Sequence, residues 1–104
     1  MEESYETITI NESCDLPITK GTIKIDSSLS PITIFMKNSD KIGDILEITK
    51  ISHDSNIISL YSDSCLVNDA DITIFGSTID DDMGTAKTLI LKSCESGWII
   101  QDQR

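Results

Sequence analysis

The only histidine of the chain, His53, stands next to Asp54 in the stretch "SHDS". An imidazole beside a carboxylate is the beginning of an acid–base couple. A working triad also needs a nucleophile that the fold brings to the ring. Serines are plentiful, but none sits in a G-x-S-x-G elbow. Neighbouring side chains on a turn commonly diverge, so His53 reads as a solvated turn residue. One imidazole is also too little for zinc, which takes three or four protein ligands.

The densest acidic run is Asp80-Asp81-Asp82, followed by Met83 and Gly84. Carboxylates in a loop can bind calcium, which takes six to eight oxygens. The run lacks the D-x-D-x-D-G pattern and the closing glutamate of an EF-hand. Help from "NDAD" (Asn68 to Asp71) would require the fold to bring it near. A solvated loop that keeps neighbouring strands from pairing is the favoured reading, and the expectation is no bound metal and no cofactor. The three cysteines, Cys14, Cys65 and Cys94, are odd in number and show no CxxC spacing. That pattern fits free thiols in a reducing compartment better than a disulfide framework or a zinc site. Nothing beside them would activate a thiol. The sequence therefore points away from catalysis, and the chain is read as no enzyme.

The elements that would position these residues are strands. Isoleucine and threonine are stiff at χ1 and favour β structure. A period of two marks eight pieces: "YETITI", "TIKI", "PITIFM", "DILEITKI", "NIISLY", "DITIF", "KTLILK" and "GWIIQ". Turn formers separate them, namely "NES", "DSSLSP", "KNSDKIG", "SHDS", "SDS", "GSTIDDDMG" and "CESG". No segment has the 3.6-residue period of a helix; at most one helical turn is expected near Ser39 to Ile42. The expectation is a single domain over residues 1–104, an antiparallel β-sandwich, jelly-roll-like, of about eight strands. Residues 1–4 and 101–104 are expected to fray.

Several strands do not alternate cleanly. "KTLILK" and "GWIIQ" carry consecutive apolar residues, and "NIISL" puts Ile57 on one face with Ile58 and Leu60 on the other. A small sandwich normally buries one face of each sheet. Apolar residues on the second face call for a cover; a neighbouring subunit is the natural one, and the alternative is that the chain's own irregular loops fold over those faces. Ile58, Leu60, Ile90, Trp98 and Ile100 are the candidates for core or interface. Aromatic residues are only 5% of the chain, too few to fill a core and a sugar-stacking platform together.

The formal charge is −10, from 18 acidic and 8 basic residues. Such a chain is repelled by nucleic-acid phosphates and by anionic membranes. No nucleic-acid partner is expected. The N-terminus has no basic, apolar leader, and no apolar run approaches the roughly 20 residues of a membrane span, so no insertion is expected either.

The order "PITIF…GDILEITKIS…NIISLYSDS…DITIFGS…TLILKSCESGWII" resembles a module of viral fibre, spike and capsid surface proteins, found in phage tail and head fibres and in virion proteins of large DNA viruses. Gly43 and Asp44 match the Gly-Asp step that opens the second strand of that pattern. "NIISL" from Asn56 matches its Asn-led strand, and Thr88 to Ile100 matches its closing hairpin with Trp98. The usual Leu-Pro is replaced by Phe35 and Met36, and "SHDS" is shorter than the usual loop and lacks glycine. The resemblance covers about Tyr5 to Ile100, and its motifs are turn and core residues. It implies a trimeric, all-β structural module of a virion, made in the host cytoplasm, with no catalytic residues. Its contacts would be with its own copies, with other virion proteins or with a host protein or glycan. The other reading is a soluble acidic β-domain that binds a host protein or a glycan.

Overall fold

The structure is a computed structural model and describes residues 6–39, 41–54, 56–62, 66–67, 72–76, 87–95 and 97–104. Among these residues there is no helix, and the chain forms ten strands. They are β1 (Thr7–Ile10), β2 (Cys14–Asp15), β3 (Gly21–Ile25), β4 (Ile32–Phe35), β5 (Ile45–Lys50), β6 (Ile58–Tyr61), β7 (Leu66–Val67), β8 (Ile72–Phe75), β9 (Thr88–Cys94) and β10 (Gly97–Gln103). All eight expected strands are present. The two extra ones, β2 and β7, are two residues long, too short to leave a period in the sequence.

The strands make a six-stranded sheet, in the order β1-β3-β5-β9-β10-β7, and a four-stranded sheet, β2-β4-β6-β8. Odd-numbered strands lie in the first and even-numbered strands in the second, so the chain changes sheet at every step until β10. As a result β1, β3 and β5 stack in parallel, as do β2, β4 and β6. The winding is a coil of rungs. It then reverses: β8 runs antiparallel to β6, and β9 antiparallel to β5. Among the described residues, only β9 and β10 are consecutive strands joined as a hairpin.

The antiparallel expectation is thus corrected. Five of the eight ladders are parallel, so both sheets are mixed, and jelly-roll winding, built from antiparallel strands, does not describe them. A parallel neighbour needs a crossover, and here the crossover is a strand of the opposite sheet. Turn residues say where the chain bends; they do not say whether the next strand returns alongside or crosses over. At residues 41–44 the chain makes a tight turn, in which the Asp44 N–H donates to the Lys41 carbonyl at 3.4 Å. The C-terminal end is also better held than expected. β10 runs to Gln103, and Arg104 N–H donates to the Thr88 carbonyl at 2.9 Å.

Both sheets turn their apolar residues onto one core. The six-stranded sheet contributes Ile23, Ile25, Leu46, Ile48, Leu89, Leu91 and Trp98, and the four-stranded sheet Ile32, Ile34, Ile58, Leu60 and Phe75. Ile8 and Ile10, on the outermost parallel rung, are only half-buried against it. Gly21 opens β3 with φ +117°, and a Cβ there would clash with the Glu6 carbonyl oxygen. That carbonyl accepts the Thr22 N–H at 2.9 Å. Only glycine lets β1 and β3 approach at this point.

Candidate functional site

The alternation of β5 puts Leu46, Ile48 and Lys50 on the inner face, with Ile45, Glu47 and Thr49 outside. The ladder pairs Ile23 with Ile48 and Ile25 with Lys50. A lysine therefore occupies a core position that the neighbouring strand fills with isoleucine. Its side chain has no exposed surface. An ammonium buried there needs acceptors for its three protons. Nζ finds the carbonyl oxygens of Gly76 at 2.6 Å, Asp54 at 2.7 Å and Asn56 at 2.8 Å, and Asp54 Oδ1 at 3.0 Å.

The connection from β5 to β6 and the one from β3 to β4 build the rest of this polar corner. The Ser27 N–H donates to Ser52 Oγ at 2.9 Å, and the two hydroxyls lie 3.2 Å apart. Ser27 Oγ donates to Asp54 Oδ1 at 2.9 Å, and the Asn56 N–H to the same oxygen at 3.0 Å. Asn56 Nδ2 donates to the Ser27 carbonyl at 2.7 Å. Oδ2 of Asp54 is buried and receives no well-formed hydrogen bond among the described residues. Burial works against ionising Asp54. The Ser52 hydroxyl, the Lys50 ammonium, the Ser27 hydroxyl and the Asn56 amide outweigh it, and the carboxyl is held well below the usual carboxylate range. Gly76 completes the corner at φ +86°; a Cβ there would meet Lys50 Cδ at 3.0 Å.

Serine, lysine and aspartate together suggest nucleophilic chemistry, but this arrangement is not set up for it. Lys50 Nζ faces three backbone carbonyls and Asp54 Oδ1, none of them a serine hydroxyl, so it is not placed to take a proton from Ser27. Ser27 is fully buried. His53 lies on the same connection and points to solvent. The corner ties two loops and the end of β8 to the coil.

The other candidates are placed as follows. Ile58, Leu60 and Trp98 are core residues, and Trp98 Nε1 donates to the Lys37 carbonyl at 2.9 Å. Ile100 is half-buried against the core, and Ile90 is half-buried on the outside of β9 opposite Glu47. Cys14 and Cys94 are free and half-buried. Burial raises the Cys14 thiol pKa, helped by Asp15 and Glu12, which keeps it protonated. Cys65, Asn68 to Asp71 and Asp80 to Asp82 lie outside the described residues. Among those described, no three His, Cys, Asp or Glu side chains converge as metal ligands, and no helix is long and apolar enough to cross a membrane.

The most distinctive surface was missed from the sequence. Phe35, Tyr61, Ile72 and Ile74 are 45%, 39%, 48% and 47% exposed. Register aligns Phe35 with Tyr61 and Tyr61 with Ile72, while Thr33, Ser59 and Ile74 make the adjacent row. All six are on the outward side of the four-stranded sheet, Ser59 buried between its neighbours, and none is Asp, Glu, Lys, Arg or His; the row of Phe35 ends at Asp15 on β2. The signal was available: in "PITIF", "NIISLY" and "DITIF" each strand carries apolar residues in both phases. No protein-family model matches the chain, and no curated protein matches it.

Proposed function

We propose that this chain is a non-enzymatic structural component of a virion, a small capsid or fibre module that trimerises. The observation that carries the reading is the exposed apolar stretch Phe35–Tyr61–Ile72, with Ile74 beside it, on the outer face of the four-stranded sheet, where the only carboxylate in register among the described residues is Asp15 at the β2 edge. In a chain of net charge −10, copies repel one another wherever carboxylates face each other. The stretch Phe35–Tyr61–Ile72, with Ile74 beside it, has a single carboxylate at its edge, Asp15, and its exposed apolar area favours burial. The resemblance of its turn and core residues to viral fibre and capsid modules supports the same reading. So does the committed state of Lys50, which leaves the polar corner a structural role. The module works in the virion after synthesis in the host cytoplasm, through contacts with its own copies and with other virion proteins.

One observation favours a second reading, a soluble acidic domain that binds a host protein or a glycan. Phe35 and Tyr61 are exposed aromatics, the kind of group that packs on a sugar ring. Their rings meet edge to face, at 90° with centroids 6.0 Å apart, so they do not form a flat platform together. That geometry favours packing against apolar side chains. Light scattering on a size-exclusion column under reducing conditions separates the two readings. The virion reading expects about three times the 11.5 kDa of one chain. A monomer at high concentration would move the assignment to the binding domain.

A further inference from the structure

We infer that the corner around Lys50 is a binding site for a primary ammonium group, which the chain fills with its own side chain. Four oxygens converge on one buried point, at 2.6, 2.7, 2.8 and 3.0 Å from Nζ. Three are backbone carbonyls from separate positions, Asp54, Asn56 and Gly76, and the fourth belongs to an ionised carboxylate. Three acceptors suit the three N–H bonds of R–NH3+, and the carboxylate supplies the neutralising charge. The acceptors do not rely on Lys50 alone for their positions. Ser27 and the Asn56 amide fix Asp54, and Asn56 is itself tied to Ser27. The apolar stem runs past Gly76, where the missing Cβ leaves room for it.

The ligand class follows from the shape. Lys50→Ala removes three methylenes and the ammonium, which is the outline of n-propylammonium. The variant therefore takes up this ion, with ethylammonium weaker and tetramethylammonium inert because it has no N–H to donate. This inference stands apart from the virion assignment, because it concerns the interior of one protomer.

The test is thermal unfolding of Lys50→Ala at constant ionic strength in chloride salts of ammonium, ethylammonium, n-propylammonium, tetramethylammonium and potassium. The expected result is a midpoint that rises and saturates with n-propylammonium, as one-site binding requires, with no such rise in the wild-type protein. Equal effects of n-propylammonium and tetramethylammonium would overturn the inference, and so would equal recovery by potassium, which would mark a general cation cage. Should the variant fail to fold in every salt, the wild-type protein still decides. With 15N-labelled lysine, one of its seven lysines must show a slowly exchanging ammonium signal that Lys50→Met removes. Absence of that signal contradicts the site.

Discussion

Two inner stacks run side by side through the six-stranded sheet, Ile8–Ile23–Ile48 and Ile10–Ile25–Lys50. They share a register, a chain direction and two isoleucine rungs. The first goes on in apolar packing. The second ends in an ammonium held by four oxygens. An apolar stack is tolerant: its cost of change scales with volume, and neighbours can shift to absorb part of it. A polar corner has less room for compromise, because each lost donor leaves a buried acceptor dry. The stacks thus share geometry but should respond very differently to substitution.

The largest effect falls on the polar stack. Lys50→Met keeps the stem's volume but strands Asp54 and three carbonyls, and urea unfolding should show a loss of about 3–5 kcal/mol. A loss as small as that of an ordinary core change would erase the distinction between the stacks. In the apolar stack, Ile48→Val should cost only about 0.5–1.5 kcal/mol. Acid resolves the two further. The Asp54 pKa is lower in the folded chain than its unfolded value of about 3.9. Its contribution is therefore complete above that value and is lost as pH falls below it. Wild-type stability should drop on acidification below about pH 4, and the drop should shrink in Lys50→Met. An effect of the same size as that of Ile48→Val lies just outside the stacks, where Thr49 and Thr88 hydroxyls lie 2.6 Å apart across β5 and β9. Thr49→Val should cost about 0.5–1.5 kcal/mol, since that hydrogen bond is part-exposed.

Much of this was legible beforehand, and the failures have physical causes. Alternation in "TIKI" and "DILEITKI" located β3 and β5 because one face of each is wet. The winding was not legible, because "DSSLSP" and "SHDS" bend the chain without a two-residue Asn-Gly turn to force a hairpin. Lys50 escaped notice although it sits in phase with Leu46 and Ile48; a charged residue two positions along an apolar phase is the signal to look for. The doubly apolar strands were noticed, yet weight fell on Ile58, Leu60 and Trp98, which are core. In "NIISLY" the sequence does not reveal which phase points inward. The register does, and it brings Tyr61 out beside Phe35 and Ile72.

The two outer faces repeat the contrast at the surface. On the six-stranded sheet Lys24, Glu47, Lys92 and Asp102 are interleaved with Ile45, Ile90 and Ile99. The row across the four-stranded sheet has one carboxylate, Asp15 at the β2 edge, and is then apolar from Phe35 through Tyr61 to Ile72. The proposed assembly therefore has a definite address. Sedimentation velocity on wild-type protein, Tyr61→Asp and Ile99→Asp tests it most directly. The account predicts a trimer for wild type and Ile99→Asp, and a folded monomer for Tyr61→Asp. A wild-type monomer, or a Tyr61→Asp protein that still forms trimers, would contradict it.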